Sequence, residues 1–192
     1  MRKFLVSKKA DILELYFQEQ IVEKAALAKR VKEVAFLEGD FILRSGKRSK
    51  YYMDKYLFSA QPDILAELGK RFAEFAGDVD VIAGPELGAV SLAAATSLAA
   101  GKPFAIVRKG QKGYGTDKLL EGAPVEGKTV LLVEDIGTTA GAALTAAETL
   151  VAAGAKIARL CFAIDRQEGA RENVEKAGFE FNAILNKEDL GI

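Results

Sequence analysis

The chain reads as an α/β protein built on a central, mostly parallel sheet flanked by helices. Three observations predict this. From Val79 onward, short apolar runs alternate with helical patterns, the order that yields a parallel sheet covered on both faces. Val130 to Val133 is apolar at every position, as in a strand buried on both sides. That run passes directly into an acidic pair, a loop of small and hydroxyl residues and an Ala-rich helix. Open α/β sheets hold their ligands at strand ends of this kind.

The stretch Thr129 to Ala142, T-V-L-L-V-E-D-I-G-T-T-A-G-A, organises the rest. Glu134 and Asp135 follow the strand; Gly137, Thr138, Thr139, Ala140 and Gly141 form the loop. Backbone N–H groups and hydroxyls at a helix N-terminus suit a phosphate. The acids then lie beside that phosphate.

Composition narrows the chemistry. The 192 residues suffice for one domain with a full core. Lys and Arg number 27 and so do Asp and Glu, a balance that points to neither a nucleic-acid nor a membrane partner. Histidine is absent, which excludes a Ser–His–Asp triad, a Cys–His pair and the commonest metal ligand. Any metal is then expected to be a hard ion held by oxygens, such as Mg²⁺. The single cysteine, Cys161, lies in an apolar run and reads as a buried, inert thiol in a reducing compartment. No apolar run approaches membrane-span length and Met1 to Ala10 lacks a signal-peptide core, so the expected location is cytoplasmic.

In chain order, apolar residues recur at helical spacing up to about Leu37. Phe41 to Asp54, F-I-L-R-S-G-K-R-S-K-Y-Y-M-D, reads as a hairpin around Ser45–Ser49, with Arg44 and the pair Tyr51-Tyr52 on facing strands. A cation beside aromatic rings suits a flat anionic ring. Pro62 opens a helix over 61–76 with Leu65, Leu68, Phe72 and Phe75 as its stripe. Val79 to Ala83 is a short strand ending in G-P-E-L-G, Gly84 to Gly88, whose glycines let backbone approach a ligand. Ala89 to Ala100 is a small-residue helix and Phe104 to Val107 the next strand. Arg108 to Gly122 carries four glycines and four cations without apolar periodicity, and reads as a mobile cationic lid or a solvated loop. A helix over 142–153 ends at Gly154. A strand over 156–164 runs into D-R-Q-E-G, Asp165 to Gly169, then a helix to about Ala177 and a last strand over 179–185. The whole is one domain, with about residues 1–55 as N-terminal helices and a small hood hairpin, and about 56–192 as the core.

Together, the acidic phosphate loop, the hairpin F-I-L-R-S-G-K-R-S-K-Y-Y-M-D, the segment R-K-G-Q-K-G-Y-G and D-R-Q-E-G resemble the orotate phosphoribosyltransferases of the type I phosphoribosyltransferase superfamily. The resemblance runs from about Phe41 to Gly169. It implies a Mg²⁺-dependent transfer of ribose 5-phosphate from 5-phospho-α-D-ribose 1-diphosphate to N1 of orotate, giving orotidine 5′-monophosphate and pyrophosphate in pyrimidine biosynthesis. Arg44, Tyr51, Tyr52, Thr138 and Arg166 match the orotate side, with Arg166 on the orotate carboxylate. Glu134, Asp135, Ile136, Gly137, Thr138, Thr139, Ala140, Gly141 and Ala142 match the ribose-phosphate loop, and Glu86 and Leu87 the pyrophosphate loop. Arg108, Lys109, Lys112 and Tyr114 match a lid that reaches over the neighbouring subunit's site, which implies a homodimer. Glu134 and Asp135 would stabilise the ribose cation; Lys112, assisted by Lys109 and Arg108, would stabilise the leaving pyrophosphate. No protein ligand is assigned to the metal, which the donor and water would mainly hold. The chain departs from the family at Gly137, Ala140 and Ala142, where a Thr, a Gly and a Ser are usual, at Leu87, where some members carry Lys, and at Tyr114, where many carry His. Two other readings remain at this point: transfer to a different base, and a regulator of the same fold that senses the donor.

Overall fold

The computed structural model describes residues 22–42, 48–110 and 119–192. Helix α1, Lys24–Ala35, buries Leu27, Ala28, Val31 and Ala35 along one stripe. The chain then extends at Phe36 into β1, Phe36–Ile42, which pairs antiparallel with β2, Arg48–Met53. The helical reading to about Leu37 therefore overran by two residues, because Phe36 and Leu37 take the strand's period-2 geometry. A one-turn helix α2, Lys55–Ser59, follows, with the Asp54 carboxylate accepting the Tyr56 N–H at 2.9 Å as its cap.

Helix α3, Pro62–Ala73, opens on Pro62 as expected. Its inward stripe is Ile64, Leu68 and Phe72; Leu65 and Phe75 are only partly buried beside it. Strands β3 (Val81–Pro85), β4 (Phe104–Val107), β5 (Leu120–Gly122), β6 (Thr129–Gly137), β7 (Lys156–Asp165) and β8 (Glu180–Asn186) form the main sheet. Its order is β5-β4-β3-β6-β7-β8, parallel except for β5, which returns antiparallel to β4. The strands are linked by α4 (Ala89–Ala100), α5 (Gly141–Ala152) and α6 (Ala170–Lys176).

The two faces of the sheet carry separate cores, and alternation along each strand assigns residues to them. Leu131 and Val133 of β6 pack with Ile82, Leu68, Phe72 and Leu92 on the side of α1, α3 and α4. Val130 and Leu132 pack with Ala143, Ala147, Leu150 and Phe162 on the side of α5 and α6. Burying each such Leu, Ile or Phe contributes about 1.5–3 kcal/mol, which fixes the register of the central strand. Cys161 is fully buried in the first core, and burial pushes its thiol far above the ordinary value, as an inert thiol requires. Among the described residues no helix is long and apolar enough to cross a membrane.

The sheet's winding reverses between β3 and β6. From β3 the chain moves outward to β4 through α4; from β6 it moves the other way to β7 through α5. The carboxyl ends of β3 and β6 thus lie side by side at a topological switch point, where such sheets bind ligands.

Candidate active site

Strand β6 does not stop at Val133. It continues through Glu134, Asp135 and Ile136 to Gly137, still paired with β7 as far as Gly137 and Asp165. Glu134 and Asp135 are therefore buried strand residues, not members of a loop. The Glu134 carboxylate accepts the Asp135 N–H at 3.0 Å, and the Asp135 Oδ1 accepts the Ile136 N–H at 2.6 Å. The other Asp135 oxygen pairs with the Lys55 ammonium at 2.9 Å. Burial, reinforced by the neighbouring Asp135 charge, pushes Glu134 up to about 8. Near neutrality Glu134 thus keeps its proton.

This has a consequence for stability. The unfolded chain ionises Glu134 near the ordinary 4.5, whereas the folded protein does so only near 8. Across that window the unfolded state binds fewer protons, so stability falls as pH rises and levels off above about 8. We expect Glu134→Gln to remove this slope, worth a few kcal/mol at about 1.4 kcal/mol per pH unit. Urea midpoints at pH 5, 6.5 and 8 would read it; parallel pH dependences for both proteins would contradict it.

Beyond Gly137, residues Thr138 and Thr139 lead to α5, with Thr138 half-buried and Thr139 exposed. The Thr139 carbonyl accepts the Asn173 side-chain amide at 3.0 Å, which ties the loop to α6. The helix starts at Gly141, one residue earlier than its apolar pattern, and Ala140 precedes it with φ 58° and ψ 14°. This left-handed conformation explains the glycine usual at that position in the family pattern, since a Cβ there crowds the following carbonyl. The N–H groups of Gly141, Ala142 and Ala143 begin the helix and have no partner within it, the arrangement that favours an anion.

Strand β3 delivers the second wall. Gly84 and Pro85 are still in the sheet, and the Glu86 N–H donates to the Val107 carbonyl at 2.8 Å. Gly88 lies directly over the acidic pair: a Cβ there would sit 1.9 Å from Asp135 Oδ2. The sequence reading placed Glu86 and Leu87 in a loop that meets the pyrophosphate through its backbone. In the structure the Glu86 carboxylate accepts the Lys109 N–H at 2.7 Å and lies 3.6 Å from the Arg108 guanidinium, while the Leu87 side chain is exposed. Glu86 thereby anchors the first residues of the cationic segment. The Arg108 N–H donates to the Leu119 carbonyl at 2.8 Å, so β4 and β5 bring the two ends of that segment together. Lys109 is close enough for its charge to act on Glu134.

The third wall comes from D-R-Q-E-G and the hairpin. The Arg166 N–H extends the β6–β7 ladder by donating to the Gly137 carbonyl at 2.8 Å. Its guanidinium donates to the Tyr51 hydroxyl at 3.2 Å and pairs with Glu168 at 2.8 Å. It lies over the Tyr51 ring at 5.4 Å, and its buried Nε finds no hydrogen-bond partner among the described residues. Tyr51 and Tyr52, read from the sequence as a pair framing one ring, are separated by the strand's alternation. Tyr51 stacks on Phe36 on the Arg166 side, and Tyr52 packs on Phe41 on the other face of the hairpin. A cavity of about 290 Å³ opens toward β8 beside Asp165, Gln167, Arg171, Glu172 and Asn186, and its lining includes none of Glu134, Asp135 and Arg166.

Of the residues singled out from sequence, Arg44, Lys112 and Tyr114 lie outside the described residues. The structure brings together Glu134, Asp135, Lys109 and the turn at Gly88, and places Arg166 and Tyr51 at the neighbouring strand end. Sequence reading missed Lys55, whose only local signal is a basic residue directly after the hairpin.

A parallel sheet, an acidic strand end beside an anion-binding helix start and a glycine turn pressed against the acids define a phosphoribosyltransferase. Residues 60–189 match the model of the phosphoribosyl transferase domain, and the chain belongs to that family. Within it, the chain is similar to orotate phosphoribosyltransferases. That of Methanocella arvoryzae is 41% identical over 169 residues, covering 88% of this chain and 95% of that protein. That of Pyrococcus furiosus is 45% identical over 156 residues, covering 79% of this chain and 86% of that protein. A crystal structure of the Mycobacterium tuberculosis enzyme in complex with 5-phospho-α-D-ribosyl 1-diphosphate superposes with a TM-score of 0.77 at 31% identity, covering 89% of this chain and all of that one.

Proposed function

We propose that the protein is a pentosyltransferase that moves ribose 5-phosphate from 5-phospho-α-D-ribose 1-diphosphate to N1 of orotate, releasing pyrophosphate. Arg166 is the observation that carries the choice of acceptor. A half-satisfied guanidinium beside an aromatic ring, one strand from the phosphate loop, suits a planar ring bearing a carboxylate. Tyr51, on the same side, is the aromatic partner we assign to the ring; Thr138 lies at the loop between the two half-sites.

The donor's 5′-phosphate binds at the N-terminus of α5, with the Thr138–Ala142 loop around it. Its ribose then lies against Asp135 and Glu134. As the bond to pyrophosphate breaks, the anomeric carbon becomes cationic, and the buried Asp135 carboxylate stabilises that charge more strongly than it could in water. Glu134, carrying its proton, keeps the acidic pair from repelling itself. Arg108 and Lys109, placed by Glu86, face the departing pyrophosphate, and Lys112 and Tyr114 complete that role in the reading drawn from the family resemblance. Orotate arrives as an anion and needs no strong base, which suits a protein without histidine.

The acids also decide how magnesium would fit. Among the described residues no three carboxylates, cysteines or histidines converge, and the outer oxygen of Asp135 is engaged by Lys55. Such a site suits an ion that takes its oxygens mainly from pyrophosphate and water. Mg²⁺ would supply charge neutralisation to the leaving group. We read the working enzyme as a cytoplasmic homodimer of one-domain subunits, residues 1–55 forming the hood and 56–192 the core, with the part of the cationic segment beyond Lys109 serving the neighbouring subunit. Depletion of orotate that requires protein, donor and Mg²⁺ together tests the assignment.

A further inference from the structure

We propose that Lys55 is a positioning residue of the donor site, clamping the Asp135 carboxylate beneath the Gly88 turn so that it meets the donor's ribose in one orientation. The inference rests on the phosphoribosyl-transfer reading above and adds to it a residue outside the family's motifs as they stand in this chain.

The geometry isolates the role. Asp135 is held from both sides: Oδ1 by the Ile136 N–H at 2.6 Å, Oδ2 by the Lys55 ammonium at 2.9 Å. The first hold comes from a backbone N–H of the strand and does not depend on which side chain residue 136 carries, proline excepted. The second reaches in from α2, far away in the chain. The Lys55 stem lies against the same turn, since a Cβ on Gly88 would meet Lys55 Cε at 3.2 Å as well as the carboxylate. One side chain therefore touches the acid of β6 and the turn after β3, the two halves of the switch point.

Lys55 also connects the two substrates. The stretch from Tyr51 to Lys55 touches Arg166 at one end and Asp135 at the other. Met53 between them is buried in the core, and the Asp54 N–H donates to the Ala35 carbonyl at 2.9 Å, so this segment is fixed in place. The side chain of Lys55 is a third exposed, hence within reach of an arriving ligand.

Among the described residues, the charged groups around Asp135 are Glu134 on its own strand, Lys55 from α2, and Lys109 from the segment after β4, whose charge acts on Glu134. Burial works against the Lys55 charge, but its ion pair with Asp135 prevails and holds its pKa above the usual lysine value. Asp135 is the centre of this cluster, and Lys55 is the cation paired with it.

The test compares Lys55→Met, Lys55→Gln and Lys55→Arg with the native protein, measuring kcat and KM for each substrate. In the Met and Gln variants the donor KM should rise about tenfold or more while the orotate KM changes less than about threefold. The Arg variant should keep the donor KM within about threefold of native, since it retains the charge. A purely structural role would lower the yield of folded protein and leave the donor KM of the folded fraction in place. Native donor KM in Lys55→Gln would overturn the proposal, and so would a donor KM in Lys55→Arg raised as in Gln. If Met and Gln fail to fold, the Arg result alone decides. If the native protein binds donor but does not consume orotate, the acceptor assignment fails, and the same comparison is made on the donor Kd by calorimetry.

Discussion

Gly88→Ala is expected to lower kcat/KM for the donor by about a hundredfold or more. A Cβ at this position falls 1.9 Å from Asp135 Oδ2 and 3.1 Å from its carboxyl carbon. The carboxylate cannot step aside cheaply. It is short, buried, and held by both the Ile136 N–H and the Lys55 ammonium. Either the acid or the turn must shift by about an ångström, a displacement that can itself cost about a hundredfold in rate. Gly77→Ala is the control: its Cβ meets nothing within 4 Å, and activity should be unchanged. Steady-state kinetics of the two variants, with circular dichroism to verify folding, would settle the matter. A Gly88→Ala enzyme with native constants would mean that Asp135 does not need its observed position.

Lys112→Ala should reduce turnover by about 10²–10³, the usual effect of removing one electrostatic donor from a developing charge. The role follows from the family resemblance of R-K-G-Q-K-G-Y-G, since Lys112 lies outside the described residues. If the segment serves the neighbouring subunit, inactive Lys112→Ala and Arg166→Ala proteins should complement one another. Each hybrid dimer would contain one site with both residues native. Mixing under conditions that exchange subunits should restore part of the activity. Demonstrated exchange without recovery would contradict the arrangement in trans, and native turnover in Lys112→Ala would remove the residue from the mechanism.

Much of the fold was legible in the sequence, for reasons visible in single elements. The apolar run Val130–Val133 identified the central strand because both of its faces are covered. Its continuation to Gly137 was not legible, because hydropathy changes at Glu134 while backbone pairing with β7 does not. Strand β5 escaped notice: three residues, Leu120 to Gly122, are too few to show alternation, and only the antiparallel pairing with β4 defines them. The helix after the phosphate loop was placed to within a residue, since its Ala-rich pattern and the glycine after it mark both ends.

The site divides along the same line. Motifs that are continuous in sequence, the acidic strand end and D-R-Q-E-G, could be found locally. Relations between distant segments could not. Tyr51 and Tyr52 look like a pair in the sequence, yet strand alternation sends them to opposite faces and only Tyr51 meets Arg166. Glu86 was read for its backbone in the pyrophosphate loop; that its carboxylate also turns onto the Lys109 N–H and Arg108 depends on the fold. Lys55 carries no motif at all; its meaning depends on α2 lying against the end of β6.

The most direct measurement is the ultraviolet absorbance of orotate in a mixture of purified protein, 5-phospho-α-D-ribose 1-diphosphate, Mg²⁺ and orotate. The account predicts a decrease that needs all four components and yields stoichiometric pyrophosphate. Constant orotate absorbance, with the donor bound and the protein folded, would contradict the assignment of orotate as the acceptor.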